Sequence, residues 1–148
     1  MEDSLHILLY RAFHAQRNLL RPSLVELGLG SGQPKLLAYL AAHGPCCQKE
    51  LADYFDVDPA NVSRMMESLE RGGFVTRQAD QQNRRRDLAE ITDRGRQASA
   101  RWRSRCREVE ERMLRDFSPE ERERFKAYVV RAYRNAREEM RGEKTWES

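Results

Sequence analysis

Two groups of residues in this chain are suited by type and spacing to a polyanion. The stretch Pro59-Ala60-Asn61-Val62-Ser63-Arg64 sets an amide, a hydroxyl and a guanidinium among small neighbours. Asn can pair bidentately with adenine and Arg with guanine, while Ser can serve a phosphate or either base. Small residues such as Pro59 and Ala60 let a helix end approach base edges without clashing, and the free N–H groups of that end favour phosphate. Ser68 extends the polar face one turn further. The second group, Arg84, Arg85 and Arg86, places three cations on one loop with Arg77 upstream, an arrangement fit for the phosphate backbone or a minor groove. A basic loop taken alone is an ordinary solvated turn. Its position just after a pair of short helices is what makes it a candidate DNA contact.

The elements that must position these residues are legible in the apolar periodicity. Leu5, Leu8, Leu9, Ala12, Phe13, Leu19 and Leu20 recur at helical steps and predict an amphipathic helix that Pro22 can kink, before the Gly28-Leu29-Gly30 break. Ser31 is the expected cap of a second helix, with Leu36, Leu37, Leu40 and Ala41 on one face, ending at His43-Gly44-Pro45. A third helix is expected over Gln48–Phe55, and Asp56-Val57-Asp58 turns the chain. Asp58-Pro59, a capping acid before a residue preset for the first helical turn, then starts a fourth helix with Val62, Met65, Met66 and Leu69 inward. Gly72-Gly73 ends it. Phe74–Arg77 and Leu88–Thr92 are β-prone and flank the connection Ala79–Arg86, which predicts a hairpin with a long basic tip leaning on the helices. Thr92 can cap a fifth helix from Arg94 to about Asp116. Ser118-Pro119-Glu120-Glu121 is a capping box opening a last helix striped by Phe125, Tyr128, Val129, Ala132, Tyr133 and Ala136, with a frayed tail from Gly142 to Ser148.

The expected fold class is therefore mainly α with a small β-hairpin wing. A winged helix-turn-helix lobe over residues 31–91 stands between an N-terminal helical region, 1–30, and C-terminal helices, 92–148. Composition narrows the function classes. The 148 residues carry 27 Lys plus Arg against 24 Asp plus Glu, a formal net charge of +3, with 34% charged and 39% hydrophobic residues and a mean hydropathy of −0.87. The longest apolar run, Leu36–Ala42, falls far short of the roughly 20 residues a membrane helix needs. The acidic start, Met1-Glu2-Asp3-Ser4, does not resemble a secretory leader, so a cytoplasmic location is expected. Cys46, Cys47 and Cys106 cannot build a disulfide framework, and neither they nor His6, His14 and His43 have metal-site spacing. No nucleophile with base and orienter, no phosphate-cradling glycine loop and no paired carboxylates point to an enzyme, and no cofactor is expected.

Taken as an ordered set, Lys49-Glu50-Leu51-Ala52, Val57 through Arg64, Leu69 through Val75, Asn83-Arg84-Arg85 and Ile91-Thr92-Asp93-Arg94-Gly95 resemble the MarR family of bacterial transcriptional regulators. The resemblance spans nearly the whole chain. It implies a homodimer in which the first helix and the last two helices intertwine, with two winged lobes meeting an inverted repeat in double-stranded DNA. It also implies a regulator, expected here to be a repressor. The family's wing usually carries Asp-x-Arg, the acid bracing the loop and the arginine entering a groove. Here Asn83 stands at the acid's place, while Arg85 matches the groove arginine.

Family members are typically released from DNA by small aromatic or phenolic molecules bound between the dimer helices and the lobe, a cleft that Tyr10, Phe13, His14 and Tyr39 could line here. The plainer alternative makes them core and interface residues. Cys47 falls at the expected N-cap of the third helix, where the helix dipole favours a thiolate, so Cys46-Cys47 is a candidate oxidation sensor. In the family's peroxide sensors the reactive thiol lies near the start of the first helix, and none is found there in this sequence. The alternative is that Cys46 is a small buried residue and Cys47 a weak cap. The run Arg101–Arg107 is expected to be a solvated face paired with Glu108, Glu110 and Glu111. A rival to DNA binding is a lobe that binds an acidic protein.

Overall fold

The computed structural model describes residues 4–83 and 85–144. Arg84 and the chain ends lie outside that description, as does most of the tail expected to fray. Six helices and one hairpin follow in the order α1 (Leu5–Leu27), α2 (Gln33–His43), α3 (Gln48–Phe55), α4 (Pro59–Arg71), β1 (Val75–Ala79), β2 (Asp87–Ile91), α5 (Asp93–Met113) and α6 (Pro119–Lys144). The chain divides into two compact units, Met1–Val109 and Glu110–Ser148, the boundary falling within α5.

In the first unit the core is built where three short helices and the hairpin meet. Leu36, Leu37 and Leu40 of α2, Leu51 of α3, Val62, Met66 and Leu69 of α4, and Phe74, Val75, Ala89 and Ile91 of the hairpin region are all buried. The two strands pair antiparallel, Val75 opposite Ile91 and Ala79 opposite Asp87. A two-stranded hairpin is marginal alone. Here Cys46 bridges to the other edge of β2, its N–H donating to Ala89 O (3.2 Å) and its carbonyl accepting from Ala89 N–H (2.8 Å). A Cβ at Gly95 would lie 2.2 Å from the Phe74 carbonyl oxygen, so only glycine lets the start of α5 close against the hairpin.

Several local expectations hold: α3 spans Gln48–Phe55, Asp58 accepts from Ala60 N–H (2.7 Å), and Pro59 sits in the first turn of α4. Pro22 lies inside α1, where Leu24 and Leu27 beyond it pack on the core and offset the one backbone bond proline cannot make. Another expectation is overridden. Ser31 does not cap α2. The cap residue is Gly32, with no side-chain bond. Gln33 reaches back instead to accept from Gly30 N–H (2.8 Å), and Ser31 Oγ accepts from Arg17 (2.6 Å). The strands begin one residue later and end one residue earlier than expected at their outer ends and extend inward, which shortens the wing loop to 80–86. Thr92 does close the start of α5, donating to Gly73 O (2.7 Å) and accepting from Gly95 N–H (3.1 Å).

The arginine run of α5 pairs only partly as expected. Arg105 meets Glu108 (3.2 Å), but Arg101 and Arg105 both reach Glu26 of α1 (2.9 and 3.6 Å). In the second unit α5 ends at Met113, short of the expected Asp116, which adopts φ 68° in the turn. There Glu111 pairs with Arg122 (2.8 Å) and Glu110 with Lys126 (3.2 Å), so neither acid serves the arginine run. The capping box forms in both directions: Glu121 N–H donates to Ser118 Oγ and Ser118 N–H to Glu121 Oε1, each at 3.1 Å. Leu114 is buried, and Phe117 meets Phe125 edge-on. The stripe from Phe125 through Tyr128, Val129 and Tyr133 stays exposed in the single chain, as do Leu5, Leu9 and Phe13 of α1.

Candidate nucleic-acid interface

The geometry of α4 sorts its residues by face. Val62, Met66 and Leu69 are fully buried, which turns Pro59, Ala60, Asn61 and Arg64 outward and leaves Ser63 and Ser68 half-buried along the margin. The approach to this helix is set by Asp56, whose left-handed φ of 53° reverses the chain, and by Val57 N–H donating to Ala52 O (3.1 Å). The helix pair is therefore joined by a tight turn, and the second helix presents its N-terminal polar residues to solvent. Arg64 Nη2 donates to Asn61 Oδ1, linking the two along that face.

The wing differs from a simple flexible basic tip. Asp80 is 5% exposed, and its carboxylate accepts from Arg86 Nε (2.6 Å) and Gln82 N–H (2.9 Å). The Arg86 hydrogen bond, followed by that from Gln82 N–H, holds the Asp80 carboxyl below its ordinary pKa. The backbone closes around the same residues: Asp80 N–H donates to Arg86 O (3.1 Å), Asn83 N–H to Asp80 O and Arg86 N–H to Asn83 O (both 3.2 Å). Asn83 Oδ1 accepts from Arg85 N–H (3.1 Å), so the neutral residue at the usual acid's place still organises the loop. Arg86, expected as a tip cation, is thus bound within the loop. Arg85 is exposed, and its guanidinium has no hydrogen bond or ion pair among the described residues. Arg77 lies near the base of the wing with its Nε 3.7 Å from Glu70 Oε2 and its side chain only 21% exposed. Arg84 lies outside the described residues.

Asp80 was invisible to motif reading because nothing marks a lone acid in a polar loop. The signal that could have found it is its place opposite an arginine across a loop short enough to close.

The cysteines sit beside this wing. Cys46 is buried, and its thiol pKa is pushed up to about 12 by desolvation first and then by nearby Glu50. Cys47 occupies the N-cap of α3 without making a side-chain cap bond, and its Sγ accepts from Arg86 Nη1 at 3.8 Å. The four residues expected to share a ligand cleft are not brought into one. Tyr10 stacks on His14 (5.8 Å) along a shallow cleft of α1, Phe13 faces Arg17, and neither Phe13 nor Tyr39 lines that cleft. Tyr39 instead joins His43, Tyr54 and Phe55 in an aromatic cluster and donates to Glu50 Oε2 (3.0 Å). Burial, and then the bond to Glu50, raise its pKa. Among the described residues no three His, Cys, Asp or Glu side chains gather as a metal site, and no helix is long and apolar enough to cross a membrane.

Comparison with known proteins gives a consistent picture. The model of the MarR family matches residues 29–86. The chain is similar to the uncharacterized HTH-type transcriptional regulator YwoH of Bacillus subtilis (strain 168), at 31% identity over 102 residues covering 69% of this chain and 74% of the relative. The crystal structure of MarR superposes with a TM-score of 0.84 at 31% identity over 97% of this chain and 98% of that one. The S. aureus MepR–DNA complex shares the fold, with a TM-score of 0.82 at 24% identity over 90% and 99% of the two chains.

Proposed function

The chain belongs to the MarR family of transcriptional regulators, whose members are not enzymes, and on that premise we propose that it is a homodimeric repressor binding an inverted repeat in double-stranded DNA. The observation that carries this reading is the exposed Asn61–Arg64 face of α4, held outward by buried Val62, Met66 and Leu69, on a lobe whose wing exposes Arg85. Asn61 and Arg64 would read base edges. Pro59, Ala60, Ser63 and Ser68 would let the helix approach and touch phosphates, and Arg85 would enter a groove. Arg84 and Arg77 would add positive potential. The MepR structure was determined with DNA, and its fold is the one seen here.

In this reading residues 31–91 form the DNA-binding lobe, while 1–30 and 92–148 supply the dimer interface. Exposed Leu5, Leu9 and Phe13 of α1 and Phe125, Tyr128 and Val129 of α6 support it, since contiguous apolar faces of this kind call for a covering surface. A second copy covers them isologously and sets two recognition helices about 34 Å apart, one turn of the duplex. A role at DNA puts the protein in the cytoplasm. Release would follow binding of a small aromatic or phenolic molecule that favours a lobe spacing unmatched to the groove, and the Tyr10–His14 cleft offers such a molecule an apolar and a polar partner. A second reading, response to oxidants through cysteine, is favoured by the contact of Cys47 Sγ with a wing arginine.

The test is selection of bound fragments from a genomic DNA pool, then titration of the best fragment against random DNA across roughly 50 to 200 mM salt. A palindromic site preferred about a thousandfold or more supports the reading. Equal, weak binding to all sequences overturns it and turns attention to an acidic protein partner.

A further inference from the structure

The wing holds three arginines, and the charges suggest three equivalent DNA contacts. The hydrogen bonds set Arg85 and Arg86 apart. Arg86 is engaged at Nε by Asp80 and at Nη1 by Cys47, which leaves one nitrogen uncommitted, and its charge is cancelled by an acid that is itself nearly buried. Asp80 holds the loop at four points: its two carboxylate oxygens bind Arg86 and Gln82, its N–H binds the Arg86 carbonyl, and its carbonyl binds Asn83. Asn83 in turn fixes the Arg85 backbone. The chain of contacts therefore runs from Asp80 to the residue whose guanidinium points into solvent.

We infer that Asp80 is a positioning residue of the wing: by binding Arg86 it ties the two ends of the wing turn together and presents Arg85 as a DNA-contacting cation, while Arg86 is a structural part of the wing. This rests on the DNA-binding reading above. It moves the bracing acid from position 83, where Asn stands, to position 80, which pairs with an arginine on the far side of the loop rather than with its near neighbour. The lowered pKa of Asp80 accords with a carboxylate engaged as an ion at neutral pH.

Simple electrostatics and this inference make opposite predictions. Deleting a carboxylate from a face that meets phosphates strengthens binding if charge alone matters. If Asp80 positions Arg85, Asp80→Asn weakens it by about tenfold, the scale of one charge-assisted contact.

The experiment uses the full chain and the fragment selected above, measured across salt. Asp80→Asn and Arg85→Ala should each flatten the salt slope by about one phosphate contact, roughly 0.9 in log–log units. The double variant Asp80→Asn with Arg85→Ala should match Arg85→Ala alone, because Asp80 acts only through Arg85. Arg86→Gln combined with Arg85→Ala should likewise lose no more than Arg85→Ala. Unchanged or tighter binding by Asp80→Asn, or an additive loss in either double variant, overturns the inference while leaving DNA binding intact. A DNA-free readout covers variants that fold poorly. In the unchanged protein the Arg86 Nε–H should show an NMR signal protected from solvent exchange, and its absence overturns the loop closure. If the unchanged protein binds no DNA, the DNA-binding reading falls, and the role of Arg85 with it.

Discussion

Arg64 donates from Nη2 to the Oδ1 of Asn61 one turn earlier on α4, so the two side chains best suited to base edges form one unit on one exposed face. The carbonyl oxygen of Asn61 is occupied by the guanidinium, which orients both groups before any partner arrives. Pre-orientation reduces the ordering cost of binding. On the proposed function, the two residues are expected to act as a pair.

Arg64→Ala and Asn61→Ala should each relax sequence preference, with a loss of about 1 to 3 kcal/mol on the selected site and little on random DNA. The double variant should lose less than the two single losses added together. Binding titrations of all four proteins against both DNAs check this, and additive losses would separate the two residues.

The apolar face of α6 carries a prediction that differs between one chain and two. In an isolated chain, Val129→Asp replaces an exposed apolar side chain and costs little stability. In a dimer it buries a charge without a partner. Sedimentation should show the unchanged protein at twice the chain mass and the variant at the chain mass, with loss of high-affinity binding to an inverted repeat. A dimeric variant with full affinity would place the interface elsewhere.

The two adjacent cysteines should differ sharply in reactivity. Cys46 is buried with a thiol pKa pushed up to about 12, so an alkylating agent should leave it unmodified in the folded protein near neutral pH, whereas half-buried Cys47 should react. Mass spectrometry of alkylated peptides tests this. Because the folded pKa of Cys46 lies above the ordinary thiol value, its contribution to stability is fully present below that value and is lost as pH rises toward 12. Denaturant unfolding should therefore show an alkaline loss of stability that Cys46→Ala reduces.

Asp80 works in the other direction. Its pKa is depressed, so its stabilising pair with Arg86 is present above the ordinary carboxylate range and is lost as pH falls through the lowered value. An acid titration followed at the Arg86 Nε–H should keep its protected signal at pH about 4, where a free Asp is half protonated. Loss of the signal well above that pH would contradict the pairing.

Gly95→Ala should destabilise the first unit by about 3 kcal/mol, because its Cβ would meet the Phe74 backbone carbonyl, which cannot swing aside, as well as the Ile91 side chain. Gly28→Ala meets no atom within 4 Å but must hold φ 71°, so its cost should be smaller, about 1 kcal/mol. Thermal unfolding of the two variants compares steric conflict with backbone strain.

The sequence by itself determined what short-range chemistry decides. Asp58 with Pro59, and Ser118 with Glu121, mark helix starts because a cap needs only groups three or four residues apart, and the residues of α4 divide into faces because 3.6 residues make a turn. The order of helix pair, basic hairpin and returning helix was enough to place the chain in its fold class. Tertiary structure decided whatever depends on residues distant in sequence or on a balance of competing partners. Pro22 stays within α1 because Leu24 and Leu27 find the core, and Ser31 loses the cap of α2 because Arg17 and Gln33 offer other bonds. Tyr39 packs into an aromatic cluster with Tyr54 and Phe55, partners 15 and 16 residues away in sequence. The wing is the clearest case. Three consecutive arginines are alike as letters, and only the folded loop, by burying one carboxylate opposite Arg86, makes that arginine a strut and leaves Arg85 turned outward.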